Sequence, residues 1–170
     1  GIISDSCTGN PLKAKVFISS HDFDSSHVYS ALPVGNYHRL IYSGTYNVTY
    51  SAFGYKDKTL SVTATNGSAS VLDVGLSPVL PQADFSYLTT DLTVDFTNTS
   101  SFATNFLWDF GDGYIDTSLN PTHTFDSGGN YSVKLIAYNE CLSDTSYLTL
   151  NIVAGISSFT AGEFSALYPN

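Results

Sequence analysis

The sequence predicts an all-β chain built as two tandem β-sandwiches, 1–78 and 82–153, followed by a linker at 154–170. Three observations predict it. The chain holds 12 Tyr and 11 Phe, with many Thr, Ser and Val, while charged residues make up only 12%. β-Branched and aromatic side chains suit a pleated, half-buried surface, and the helix formers Glu, Lys and Arg are nearly absent. Second, Val133, Leu135 and Ala137 alternate with Lys134, Ile136 and Tyr138, and Leu148, Leu150 and Ile152 alternate with Thr149 and Asn151. Period two marks a strand with one buried face. Third, Leu76-Ser77-Pro78-Val79-Leu80-Pro81 breaks the pattern, because two prolines remove backbone donors.

In the first half the strand candidates are 14–19, 37–41, 44–53, 57–64 and 69–76, seven or so strands in all with shorter pieces. Ser43-Gly44 turns into the β-rich run Thr45-Tyr46-Asn47-Val48-Thr49-Tyr50-Ser51-Ala52, and Ala52-Phe53-Gly54-Tyr55 turns out of it. Asn66-Gly67 is a hairpin signal, since both turn positions of that type need positive φ. In the second half the candidates are 84–87, 93–98, 106–110, 122–125, 130–138 and 146–153, with a hairpin turn at Ser127-Gly128-Gly129. The lone Trp108 falls mid-strand, where a sandwich seats its central aromatic. Residues 154–170, rich in Gly, Ser and Ala, read as a linker.

The net charge of −9 is uneven. Through residue 80 five basic residues balance five Asp; after it Lys134 stands alone against ten acidic residues. A phosphate backbone requires Lys and Arg to displace counterions, so nucleic acid is excluded as a partner. No run approaches the ~20 apolar residues of a membrane span. The chain starts at Gly1 and has no Met, and is read as an excised piece. Cys7 and Cys141, one in each half, suggest neither a disulfide scaffold nor a CxxC zinc site. Two readings stay open, a bridge formed in an oxidising compartment or two free buried thiols, with the second favoured.

Three blocks of the first half carry a resemblance. Gly1-Ile2-Ile3-Ser4-Asp5 with Thr8 to Val16, the run Leu32-Pro33-Val34-Gly35-Asn36-Tyr37-His38-Arg39-Leu40, and Gly44-Thr45-Tyr46 followed by Gly54-Tyr55 all contribute. Residues 1–78 resemble the transthyretin-like, or carboxypeptidase regulatory-like, domain that follows the catalytic domain in secreted bacterial zinc carboxypeptidases. Ser43 stands where that family has proline. In the second half, Trp108-Asp109-Phe110-Gly111-Asp112-Gly113 is followed by Asn120-Pro121-Thr122-His123-Thr124-Phe125 and Gly129-Asn130-Tyr131-Ser132-Val133. Residues 82–153 resemble an immunoglobulin-like PKD (polycystic kidney disease) repeat. In that family a cysteine at the place of Cys141 has a partner near the second strand; Asp91-Leu92 stand there here, so that bridge is missing. Leu167-Tyr168-Pro169-Asn170 resembles the opening of a type IX secretion sorting domain.

Catalysis is not expected of this chain. The histidines are His21, His27, His38 and His123 and the glutamates Glu140 and Glu163, and no H-x-x-E spacing joins them into a zinc site. No Gly-x-Ser-x-Gly elbow or phosphate-binding glycine loop occurs. Asp22 and Asp24, and Asp109, Asp112 and Asp116, supply hard oxygen atoms that calcium could use. Against that, aspartates beside glycines pin turns through their own backbone, the preferred reading for Asp109 and Asp112. Tyr29, Tyr37, Tyr42, Tyr50, Tyr55 and Tyr114 are sugar-stacking candidates or strand packing. The resemblance implies a secreted or surface-bound monomer, an accessory region whose partner is an upstream zinc-bearing catalytic domain of the same polypeptide. The alternative is an adhesion module for extracellular protein or polysaccharide.

Overall fold

Short runs of β-formers separated by Gly, Asn and Asp turns give thirteen strands and no helix among the described residues, which in this computed structural model are 1–20, 22, 27–68 and 70–155. The chain divides into two units: Gly1–Leu80 with the short turn Asn139–Leu142, and Pro81–Tyr138 with the chain from Ser143 onward. No helix among the described residues is long and apolar enough to cross a membrane.

In the first unit, β1 (Ile3–Asp5), β2 (Lys15–Ile18), β3 (Val28–Tyr29), β4 (Gly44–Ser51), β5 (Lys58–Ala64) and β6 (Val74–Leu76) form two sheets. β3-β2-β4-β5 is antiparallel, while β1 and β6 pair in parallel. Alternation sends Val16, Ile18, Val48 and Tyr50 inward, where they meet Ile3, Val74 and Leu76 in one core. On the outer face Thr45 and Thr49 hydrogen-bond Thr63 and Thr59 across the strands, at 3.0 and 2.8 Å.

The second unit contains β7 (Phe85–Thr90), β8 (Thr93–Asn98), β9 (Asn105–Asp109), β10 (Ile115–Asp116), β11 (Thr122–Thr124), β12 (Gly129–Tyr138) and β13 (Ser143–Ile152). β11-β8-β7 and β10-β9-β12-β13 face each other. Trp108 is fully buried between them, edge-on to Phe85 with ring centroids 5.1 Å apart and tilted against Phe96 at 5.3 Å. Its indole N–H donates to the Ser118 carbonyl at 3.0 Å, satisfying the one polar atom such a site would otherwise strand.

Several expectations are corrected. Residues 37–41 keep a strand's alternation, with Tyr37, Arg39 and Ile41 turned inward and Leu40 94% exposed, but among the described residues no strand pairs with them, so they form no ladder. Residues 69–76 pair only over Val74–Leu76. Asn66-Gly67 does turn the chain, with Ser68 N–H donating to the Thr65 carbonyl at 3.2 Å. Only Gly67 has positive φ, however, and β6 leaves β5 to pair with β1, so no hairpin forms. The turn at Ser127-Gly128-Gly129 crosses between sheets instead of closing a hairpin, since β11 and β12 lie in different sheets. Residues 156–170, with the linker and sorting-signal readings, lie outside the described residues.

The cysteines are bridged and not free: Cys7 and Cys141 form a disulfide across 134 residues of sequence. Cys141 sits in the Asn139–Leu142 turn, where Asn139 Oδ1 accepts the N–H groups of Cys141 and Leu142 at 3.0 and 2.8 Å. Thiol titration in denaturant is expected to find no thiol without reductant and two after it. Reduction should cost the first unit about 2–4 kcal/mol in urea unfolding. Two thiols without reductant would contradict the bridge.

Candidate functional site

Two constellations gather the residues that the sequence singled out. The first lies in unit one. β1 ends at Asp5, whose Oδ1 accepts the Cys7 and Thr8 N–H groups at 2.7 and 3.2 Å, an Asx-type turn, while Oδ2 accepts the Tyr55 hydroxyl at 2.8 Å. Burial works to raise the Asp5 pKa, yet the bonds from Cys7, Tyr55 and Thr8 outweigh it and hold the carboxyl below its ordinary value. Burial, and the hydrogen bond to Asp5, push the Tyr55 phenol up to about 12. Gly54 provides the bend that delivers Tyr55, in the turn closed by Tyr55 N–H on the Ala52 carbonyl at 3.1 Å.

A cavity of about 410 Å³ opens beside the inner face of β2 and β4, lined by Val16, Ile18, Val48, Tyr50, Tyr37 and Leu72 among others. The Tyr37 hydroxyl donates to the Leu72 carbonyl at 2.9 Å and meets the Tyr50 hydroxyl at 3.0 Å, so the single Tyr50 proton must point to Tyr37. Burial raises both phenols above their usual value; the bond to Tyr37 raises Tyr50 further, whereas in Tyr37 the bond from Tyr50 works against burial and the Asp73 charge works with it. The phenols therefore stay neutral donors that hold the segment after Asn36 in place, and they offer no acid or base near neutral pH. Asp22, buried, accepts the Ile18 N–H at 2.8 Å and is paired with the Arg39 guanidinium. That guanidinium compensates the charge of the buried carboxylate. Asp24 lies outside the described residues. Gly44 and Thr45 open β4, where Tyr46 packs against the core.

The second constellation is the turn after β9. Asp109 Oδ1 accepts the Gly111 N–H at 3.1 Å and its Oδ2 pairs with Lys134 of β12 at 2.9 Å. Lys134 first, and Gly111 N–H second, hold the Asp109 carboxyl below its ordinary value. Asp112 Oδ1 accepts the Tyr114 N–H at 3.1 Å, and Oδ2 lies 2.6 Å from His123 Nε2. His123 stacks flat on Phe110, centroids 4.1 Å apart, with Phe125 edge-on at 4.6 Å. Asp116 Oδ1 accepts the Ser118 N–H at 2.6 Å, and the Ser118 hydroxyl and N–H lower its pKa. The three carboxylates thus serve three separate turns. Among the described residues the only group of three or more metal-ligand types gathered within reach of one another is Asp5, Cys7 and Cys141, and the two cysteines are consumed by their disulfide. Gly111 has φ 82°, and a Cβ there would stand 2.6 Å from the Ser132 carbonyl oxygen of β12. Gly113, at φ 100°, faces open space.

Sequence reasoning did not find the partners: Tyr55 for Asp5, Arg39 for Asp22, Lys134 for Asp109 and His123 for Asp112. Each lies eleven or more residues away on another element, and spacing carries no sign of it. Of the tyrosines, Tyr37, Tyr50 and Tyr55 serve internal bonds, whereas Tyr29, Tyr42 and Tyr114 are more than half exposed.

Two facing antiparallel sheets, with the indole of the third strand at their centre, define the second unit as an immunoglobulin-like β-sandwich module. Residues 78–153 match the family model of the PKD domain, and this part of the chain is a PKD domain. The chain is 33% identical over 107 residues to the pre-pro-metalloprotease PrtV of Vibrio cholerae, covering 59% of this chain and 12% of that protein. It is 44% identical over 36 residues to collagenase ColQ1 of Bacillus cereus, covering 21% of this chain and 4% of that protein. It therefore spans only a small fraction of these relatives. Among solved structures, the PKD1 domain of Vibrio cholerae PrtV is 33% identical, with 45% of this chain and 100% of that chain covered and a TM-score of 0.42. The PKD1 domain of Vibrio anguillarum Epp is 24% identical over 45% of this chain and 98% of that one, with a TM-score of 0.43.

Two predictions follow from this geometry. Gly111→Ala is expected to destabilise the second unit by about 2–4 kcal/mol, and Gly113→Ala by about 1 kcal/mol, because only the first adds a backbone collision to the φ penalty. Urea unfolding followed by Trp108 fluorescence measures both, and equal losses would contradict the close approach. On the alkaline side, a phenol whose folded pKa is raised stabilises the fold fully below its unfolded value of about 10 and loses that contribution as pH rises through the folded value. Tyr37, Tyr50 and Tyr55 are accordingly expected to ionise only as the first unit unfolds above pH ~10. Phenolate absorbance that titrates them near 10 with circular dichroism unchanged would contradict this.

Proposed function

We propose that this chain is the non-catalytic accessory region of a secreted zinc metallocarboxypeptidase. In this reading the first unit supports and positions an upstream catalytic domain, and the PKD domain acts as a spacer. The observation that carries it is where the family-like residues go. Asp5, Tyr37, Arg39 and Tyr55 of the first unit, and Asp109, Asp112 and Trp108 of the second, are consumed by bonds inside their own units. Residues spent on holding loops are not free to bind and turn over a substrate. The metalloprotease and collagenase names of the relatives support a peptidase parent. The carboxypeptidase class and the zinc rest on the resemblance of residues 1–78, and the extracellular address on both.

A second reading, adhesion to polysaccharide or protein matrix, draws on the exposure of Tyr42 at 82% and Tyr114 at 62%. Saturable binding lost in Tyr42→Ala or Tyr114→Ala, in a chain without a peptidase, would favour it. The deciding measurement is the intact mass and zinc content of the native secreted polypeptide that carries this sequence. About one zinc per chain, with a catalytic domain ahead of Gly1, is expected. A short zinc-free chain would overturn the peptidase reading.

A further inference from the structure

Asp5, Cys7 and Cys141 bring one carboxylate oxygen and two sulfur atoms within 4.8 Å of one another. In the oxidised chain the two sulfurs are spent on each other. Reduction changes what the cluster offers. Two thiolates and a carboxylate form a donor set that favours zinc over the hard cations calcium and magnesium. Tetrahedral zinc, with Zn–S of about 2.3 Å and Zn–O of about 2.1 Å, spaces such ligand atoms roughly 3.6–3.8 Å apart. The Cα atoms of the cysteines stand 6.3 Å apart with their side chains directed at each other, so side-chain rotation alone opens the sulfurs to that spacing.

The carboxylate is already fixed. Asp5 accepts the Cys7 and Thr8 N–H groups and the Tyr55 hydroxyl, which fill three of the roughly four acceptor positions of a carboxylate and leave one lone pair. Outer bonds of this kind orient a metal ligand. Asn139 Oδ1 does the same for the other side of the cluster, accepting the N–H groups of Cys141 and Leu142. Asp5 is buried while Cys7 is exposed, which gives an ion a way in.

We infer that the reduced chain binds one zinc ion through Asp5, Cys7 and Cys141, with water as the fourth ligand, and that zinc and the disulfide are alternative clasps for the Asn139–Leu142 turn. A phosphine reductant opens the site. The S–S bond breaks, water supplies the oxygen that phosphorus keeps and the two protons that the sulfurs take, and the phosphine leaves as its oxide. Zinc then displaces both thiol protons. A small-molecule disulfide reverses the step: it takes two electrons from the bound thiolates, leaves as two thiolates of its own, and the ion is released as the S–S bond closes. A chain bound for an oxidising compartment is made with its cysteines reduced, so zinc holds the turn until the bridge forms. The site does not depend on the peptidase reading, because the disulfide form adds nothing to the zinc count of the native polypeptide.

The test takes the 170-residue chain, reduces it with a phosphine, removes the reductant, and titrates it without air, first with cobalt(II) and then with zinc. One cobalt per chain is expected, with thiolate-to-cobalt charge transfer and the intense visible bands of a tetrahedral site. Zinc should displace it with a dissociation constant of roughly 1 µM or tighter, and the oxidised chain should take up neither ion here. Cys141→Ala, which differs from the reduced parent by one sulfur, should weaken zinc at least a hundredfold. Asp5→Asn should weaken it at least tenfold; should that variant unfold by circular dichroism, Tyr55→Phe, which removes only an outer bond to the carboxylate, is expected to lose about tenfold. A reduced, folded chain that takes up no stoichiometric cobalt or zinc would overturn the inference. So would zinc bound equally well by Cys141→Ala, or a reduced chain without β structure whether or not zinc is present.

Discussion

Everything else in this chain depends on side-chain acceptors that hold the loops between sheets. A β-sandwich bonds its own backbone only where strands run in register; at each crossing between sheets, N–H groups turn away from the ladder. Asp5 is the plainest case. It ends the parallel β1, and its single carboxylate takes two turn N–H groups and the hydroxyl of Tyr55 from the turn between β4 and β5. Without it, the turn at Cys7 and the bend at Gly54 would each keep an unsatisfied group in a partly buried place, at a cost of about 1–3 kcal/mol apiece.

The same logic runs through the PKD domain. Trp108 fills the space between sheets, and the chain beyond it must then turn sharply against β12, which only a glycine at position 111 permits. Asp109 and Asp112 fasten that turn from both ends, one to Lys134 and one to His123, and His123 is fixed between aromatic rings. Exposed ion pairs contribute little by themselves, so the Asp109–Lys134 contact matters for orientation more than for energy. An acidic chain with few cations thus uses its aspartates as turn locks. The excess of negative charge is a by-product of that use, and it is consistent with partners other than phosphates.

Legibility followed locality. β12 and β13 could be read from alternation alone, and the buried Trp108 from its place in a strand. The parallel pairing of β1 with β6 could not, since it joins residues some seventy positions apart with only three pairs of residues to signal it. Residues 37–41 have the composition and the alternation of a strand, but no neighbouring strand among the described residues pairs with them, and pairing is what a single segment's pattern does not carry. β3 and β10, two residues each, are too short for any period to register. The Cys7–Cys141 bridge spans the longest separation of all, and nothing near either cysteine announces it.

If the family-like motifs act as internal fasteners, Asp5 and Tyr55 must stabilise the first unit jointly and not one by one. A double-mutant cycle of Asp5→Ala and Tyr55→Phe, measured by urea unfolding of the intact disulfide-bonded chain, tests this most directly. The expected coupling is about 1–3 kcal/mol, with the double variant losing clearly less than the two single losses together. Strictly additive losses would contradict the role given to these residues and return them to the pool of candidates for a binding site.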